Sequence, residues 1–148
     1  MRQPGMTPGA AQRVSQVAAL PRDLPRIQQQ RRQRDQRHDA AAQAEPRAGG
    51  RLVETARDGT EHPWGTVSAW EPGRRVAFSW HPGRDPASAQ WIEVAFRANP
   101  AGTRVTLVHG GWEALGERAT ASREAYRNGW PTVFGQRYRD FCVAARAS

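Results

Sequence analysis

The chain has 148 residues, enough for one ordinary domain with a single core, and it is basic: 22 arginines and no lysine stand against 14 acidic residues. One cysteine, Cys142, excludes an internal disulfide framework and a multi-cysteine zinc site, and no apolar run approaches the roughly 20 residues that span a bilayer. With no continuous apolar stretch near the N-terminus to serve as a secretion signal, the sequence reads as a soluble cytoplasmic protein.

Residues 1–48 carry nine arginines, many Gln, Ala and Pro, and none of the twelve aromatic residues. Between Arg26 and Gly50 the one large apolar side chain is Ile27, so a helix there has no face to bury even though Ala, Gln and Arg favour helix. The expectation is a disordered or loosely helical segment that contributes little to stability, followed by a folded domain over 49–148. The basic run "RRQRDQR" (Arg31 to Arg37) has no interleaved aromatics to stack on bases and is broken by Asp35. It is read as a solvated segment, and nucleic acid is not expected as a partner.

From residue 49 the pattern changes to strands and turns. Asp58-Gly59 is a turn pair between two strand-like runs, and Pro72-Gly73 makes a second turn. "RVAFSW" alternates, placing Val76, Phe78 and Trp80 on one face. After the loop "HPGRDPAS", "QWIEVAFRA" sets Ile92, Val94 and Phe96 opposite Trp91, Glu93 and Arg97, and "RVTLVHGGW" gathers Val105, Leu107 and His109 on one side. That makes about five antiparallel strands with one apolar face. Tyr126, Trp130, Val133, Phe134, Tyr138 (or Arg137) and Phe141 then follow the 3–4 spacing of an amphipathic helix, with Pro131 expected in its first turn. In the bend "HGGW", the glycines should let the chain turn while Trp112 plugs the corner. Gly129 is expected to allow close packing at the helix entrance beside Trp130.

The four histidines, His38, His62, His81 and His109, show no metal-ligand spacing, so neither a metal nor a cofactor is expected. No Ser, Cys or His stands in a nucleophile motif such as G-x-S-x-G, and Glu93, outward by alternation, is a poor match for Glu54 in a carboxylate pair. The chain therefore reads as non-enzymatic. Cys142 is expected to behave as a small buried hydrophobe.

Three stretches taken in order, "WGTVSAWEPGRRVAFSWHPG", "GTRVTLVHGGWEALG" and "REAYRNGW", resemble the bacterial homologues of the heat-shock-protein-90 ATPase activator, within the SRPBCC superfamily of START domains and the birch-pollen allergen. The resemblance covers about residues 49–146. It implies an α+β helix-grip fold: a curved antiparallel sheet packed on a long C-terminal helix, with an apolar cavity between them. Such proteins begin with a strand and two short helices that residues 1–48 do not match, so an incomplete version of the fold is expected. The Arg/Gln/Pro/Ala bias there fits a shifted reading frame or misassigned start upstream of residue 45. Phe78, Trp80, Phe96, Leu107, His109, Trp130 and Phe134 are the candidate cavity lining, with His109 as the polar contact at its mouth. His109 and Trp130 also have a purely structural reading, as a hydrogen-bonded residue and as core packing, and that reading is favoured for both. The function implied is a module binding a small hydrophobic or amphipathic ligand; the alternative is a co-chaperone-like role engaging a protein partner.

Overall fold

The computed structural model of the chain describes residues 12–18 and 40–146. Seven strands form one antiparallel sheet: β1 (Gln12–Ala18), β2 (Ala40–Ala44), β3 (Arg51–Ala56), β4 (Glu61–Glu71), β5 (Arg75–Trp80), β6 (Gln90–Asn99) and β7 (Gly102–Gly110). Their spatial order is β1-β7-β6-β5-β4-β3-β2, so β2 to β7 make a meander and the first strand pairs with the last. The sheet is curled around a continuous helix spanning residues 119–146.

The register explains the inner face. Phe78 lies opposite Ile92, and Ile92 lies opposite His109, while Val76, Val94 and Leu107 form the next inward row. Ile92, Val105, Leu107 and Phe134 are the buried centre, with Phe78, Trp80, Val94, Phe96, Trp130 and Tyr138 packed around it. Opposite parity puts Glu93 on the outer face, where it accepts a 3.0 Å hydrogen bond from Arg75. Arg75 also reaches Glu71, so the charges of the outer face pair with one another.

The C-terminal helix departs from the expected pattern in three ways. It begins at Ala119, well before Gly129-Trp130, so Pro131 lies in its interior instead of its first turn. From Pro131 to Tyr138 the helix is π-helical, between the α-helices α1 (Ala119–Trp130) and α2 (Arg139–Arg146). Proline removes one i→i−4 hydrogen bond, and the wider π turn begins where that bond is missing. The inward stripe is Tyr126, Trp130, Phe134, Tyr138 and Cys142, spaced by four, with Phe134 and Cys142 buried and the other three half-buried, while Val133 points outward at 51 % exposure. A spacing of four overshoots a turn of about 3.6 residues by roughly 40° at each step. The π-helical stretch offsets that drift by holding more residues per turn, keeping the stripe on the sheet. A Cβ at Gly129 would meet nothing within 4 Å, so close packing does not explain that glycine. Cys142 is buried, and burial raises its thiol pKa.

Two of the strands fall in the segment expected to be disordered or loosely helical. β1 pairs with β7 and β2 with β3, so residues 12–18 and 40–44 are extended and complete the sheet beyond the five strands expected. Backbone pairing with an open strand edge supplies order that no apolar face in the segment provides. The basic run Arg31–Arg37 and His38 lie outside the described residues.

Removing residues 1–44 takes one neighbour from each of β7 and β3, contrary to the small contribution expected from composition. The shortened chain is expected to melt several degrees lower and to associate as its bare strand edges pair between molecules. Thermal melts and light scattering at two protein concentrations check this; an unchanged transition with no association would contradict it.

Candidate functional site

The bend at the end of β7 sets the geometry. Gly110 lies opposite Trp91, and a Cβ at Gly110 would collide with the Trp91 ring, so only glycine leaves room for that ring where it sits. Gly111 follows at φ 82°, in the left-handed region, and reverses the chain into the 3-10 turn Trp112–Arg118. The reversal folds Trp112 back beneath β7. Its indole N–H donates to the His109 carbonyl at 3.1 Å, and its ring lies 4.1 Å from the imidazole. Trp112 does close the corner, at 4 % exposure.

His109 is fully buried and enclosed by aromatic rings. Tyr126 meets it edge-on at 4.7 Å and Trp130 at 5.8 Å. The Trp130 Nε1–H donates to His109 Nδ1 at 3.2 Å, which joins the helix to the sheet. A second link runs alongside, from Trp80 Nε1 to the Tyr126 hydroxyl at 2.9 Å, and Trp64 packs edge-on against Trp80. Because Nδ1 accepts, the proton of the neutral ring sits on Nε2, and that atom is buried without a hydrogen-bond partner. Burial, and secondarily the nearby Arg84 charge, push the His109 pKa down to about 3. The ring is therefore neutral at physiological pH.

A second buried polar group lies on the same face. Gln90 is 1 % exposed and precedes Ile92 by two residues, which makes it a diagonal neighbour of His109. Its Oε1 accepts a 2.8 Å hydrogen bond from Arg84, and this fixes the amide so that Nε2 is the end left unpartnered. Arg84 is half-buried and also donates to the Trp80 carbonyl at 3.2 Å, while its own carbonyl faces His81 Nδ1 at 3.2 Å.

All seven candidate residues gather between sheet and helix. Leu107 and Phe134 belong to the buried centre; Phe78, Trp80, Phe96 and Trp130 remain partly exposed around it; His109 touches Trp130 directly. Tyr126, Gln90 and Arg84 were not among them. Tyr126 stands one helical repeat before Trp130, and Gln90 is a polar residue at inward parity, so both left a signal in the spacing. Arg84 lies in the loop after β5 and left none. Among the described residues no three His, Cys, Asp or Glu side chains gather as a metal site would require, and no helix is long and apolar enough to cross a membrane.

A family model described as Activator of Hsp90 ATPase homolog 1-like protein matches residues 28–137, so the likeness reaches upstream of residue 45, into the segment suspected of a shifted frame. No curated protein sequence matches the chain. Among solved structures, a protein of Nitrosomonas europaea superposes with a TM-score of 0.62 at 14 % identity, covering 97 % of this chain and 100 % of that one. A protein of Mesorhizobium loti gives 0.60 at 18 % identity, covering 84 % and 91 %. An anthrahydroquino-γ-pyrone synthase, solved as a complex, gives 0.52 at 30 % identity, covering 80 % of this chain and 87 % of its own.

The buried imidazole makes stability pH-dependent. An unfolded histidine binds its proton near pH 6.5, whereas the folded one resists until about 3. The stabilisation is complete above pH 6.5 and is lost as pH falls through that window, at up to about 1.4 kcal/mol per pH unit. His109→Gln retains an acceptor for Trp130 but cannot titrate. The stability difference between wild type and variant, from urea melts, is expected to be constant above pH 6.5 and to shrink steadily towards pH 4. A difference independent of pH would contradict a neutral buried His109.

Proposed function

The chain belongs to the Activator of Hsp90 ATPase homolog 1-like family, and we propose that it is a ligand-binding module that takes a small hydrophobic or amphipathic molecule between sheet and helix. The observation that carries this reading is the incomplete burial of Phe78, Trp80, Phe96 and Trp130, large apolar rings packed around the buried centre that keep part of their surface exposed. Aromatic walls with a few polar groups among them are the ordinary make-up of a small-molecule site. Burying about 200 Å² of apolar ligand surface contributes on the order of 5 kcal/mol before the entropy of association is subtracted, so a contact of that size alone supports a Kd of roughly 0.2 mM at best.

A protein-interaction role similar to that of the family's namesake is the second reading, and the exposed Trp70, Val133 and Val143 are what favour it. Val133 and Val143 are ten residues apart on the helix, about 15 Å along its axis, and Trp70 is on β4. Scattered apolar residues of this kind are ordinary surface, which makes the ligand reading the stronger. The synthase among the structural relatives raises a catalytic reading. Here the neutral imidazole already gives its one lone pair to Trp130, so His109 is not placed to take a proton from a substrate. No catalytic role is assigned to it.

The test uses N-phenyl-1-naphthylamine, an uncharged probe whose emission rises in apolar surroundings. Titrated into folded protein, it is expected to bind with sub-millimolar affinity, quench tryptophan emission and respond little to added salt. Absence of uptake by folded protein, or binding that collapses with salt, would contradict an apolar site.

A further inference from the structure

We propose that the site takes an anionic oxygen, a carboxylate or phenolate on an aromatic or aliphatic body, between His109 Nε2, Gln90 Nε2 and the Arg84 guanidinium. This rests on the ligand-binding reading above and names the class of ligand.

Three observations carry it. Among the described residues, the side-chain nitrogens buried without a partner are His109 Nε2 and Gln90 Nε2, and both are N–H donors. The Trp130 indole uses His109 Nδ1, and Arg84 uses Gln90 Oε1, so the acceptor end of each side chain is engaged and the donor end is left. The two side chains are diagonal neighbours on the inner face of adjacent strands, about 7–8 Å apart at their backbones, within reach of one small group. Leaving a donor buried and unpaired is costly, and two such donors on the same face ask for the same kind of partner, an acceptor. Gln90 could have been any apolar residue at inward parity, as Ile92 and Val94 are.

Arg84 fixes the sign of that acceptor. Its guanidinium holds the Gln90 amide from the loop side and is close enough to lower the His109 pKa. Among the described residues, Arg84 donates to a backbone carbonyl and to the Gln90 amide oxygen and to no carboxylate. An oxygen carrying negative charge satisfies the donors and meets the guanidinium; a cation or a further donor does neither. Arg84 is half-buried, so the charged end of a ligand reaches the donors from the loop side while its body lies against Trp80 and Trp130.

Displacement of N-phenyl-1-naphthylamine by 2-naphthoate, 2-methylnaphthalene and 2-naphthylmethylammonium tests the proposal on the full chain. The three share one apolar body and differ in charge. 2-Naphthoate is expected to bind at least about ten-fold more tightly than 2-methylnaphthalene, with the ammonium compound weakest. Gln90→Glu keeps an acceptor for Arg84 and replaces the free amide N–H₂ with charge of the wrong sign; the preference for naphthoate over methylnaphthalene is expected to vanish or reverse. Should that variant not fold, nitrogen-15 spectra of the wild type decide the matter: naphthoate should shift the Gln90 side-chain amide and His109 Nε2 signals, and methylnaphthalene should leave them in place. Equal affinities for naphthoate and methylnaphthalene would overturn the anion assignment while leaving the apolar site standing. A naphthoate preference that moves neither signal would overturn it too, by placing the anion elsewhere. Failure of the probe itself to bind would overturn the ligand reading first and this proposal with it.

Discussion

A histidine that stays uncharged inside the protein holds the two layers of this structure together. His109 lies one residue before the end of β7, the strand between β1 and β6, and its Nδ1 receives the indole N–H of Trp130 from the helix. A protonated ring would lose that acceptor and place a charge among Trp112, Tyr126 and Trp130, with the Arg84 charge nearby. Neutrality at position 109 is thus a condition for seating the helix, and the aromatic rings supply it by excluding water. The bend after it serves the same end: Gly110 gives room to the Trp91 ring on one side of the sheet, and Gly111 turns Trp112 against the imidazole on the other.

The helix meets this constraint through its period. Tyr126 and Trp130 must both reach His109, and Phe134, Tyr138 and Cys142 continue the line in steps of four. A regular α-helix would rotate that line off the sheet. Pro131, which cannot take part in the α pattern, opens the π-helical stretch that keeps the line straight, so a residue that normally ends helices here sets the direction of one.

β5, β6 and β7 were legible because one face of each is the more apolar, a period-two signal that needs no knowledge of partners, while β3 and β4 were legible from the Asp58-Gly59 turn pair between them. The Val76–Phe78–Trp80, Ile92–Val94–Phe96 and Val105–Leu107–His109 series all point inward as their alternation requires. β1 and β2 gave no such signal: "QRVSQVA" and "AAAQA" carry few large side chains, and pairing with an exposed strand edge orders them. Helix propensity in "AAAQA" was outweighed by those backbone bonds. At the candidate site the aromatic part was legible and the polar part was not. Trp80, His109 and Trp130 stand out by type and spacing. The orientation of Gln90 depends on an arginine six residues away in a loop, and no local pattern encodes that contact.

The most direct test is the protonation state of His109 in the folded protein. Long-range proton–nitrogen correlation spectra of nitrogen-15-labelled chain distinguish imidazolium from each neutral tautomer. A neutral ring protonated at Nε2, with Nδ1 unprotonated and the pattern unchanged from pH 7.5 down to pH 5, is the predicted result. An imidazolium signal at pH 6, or a proton on Nδ1, would mean that Trp130 is not donating to this ring and that the helix is held by something else.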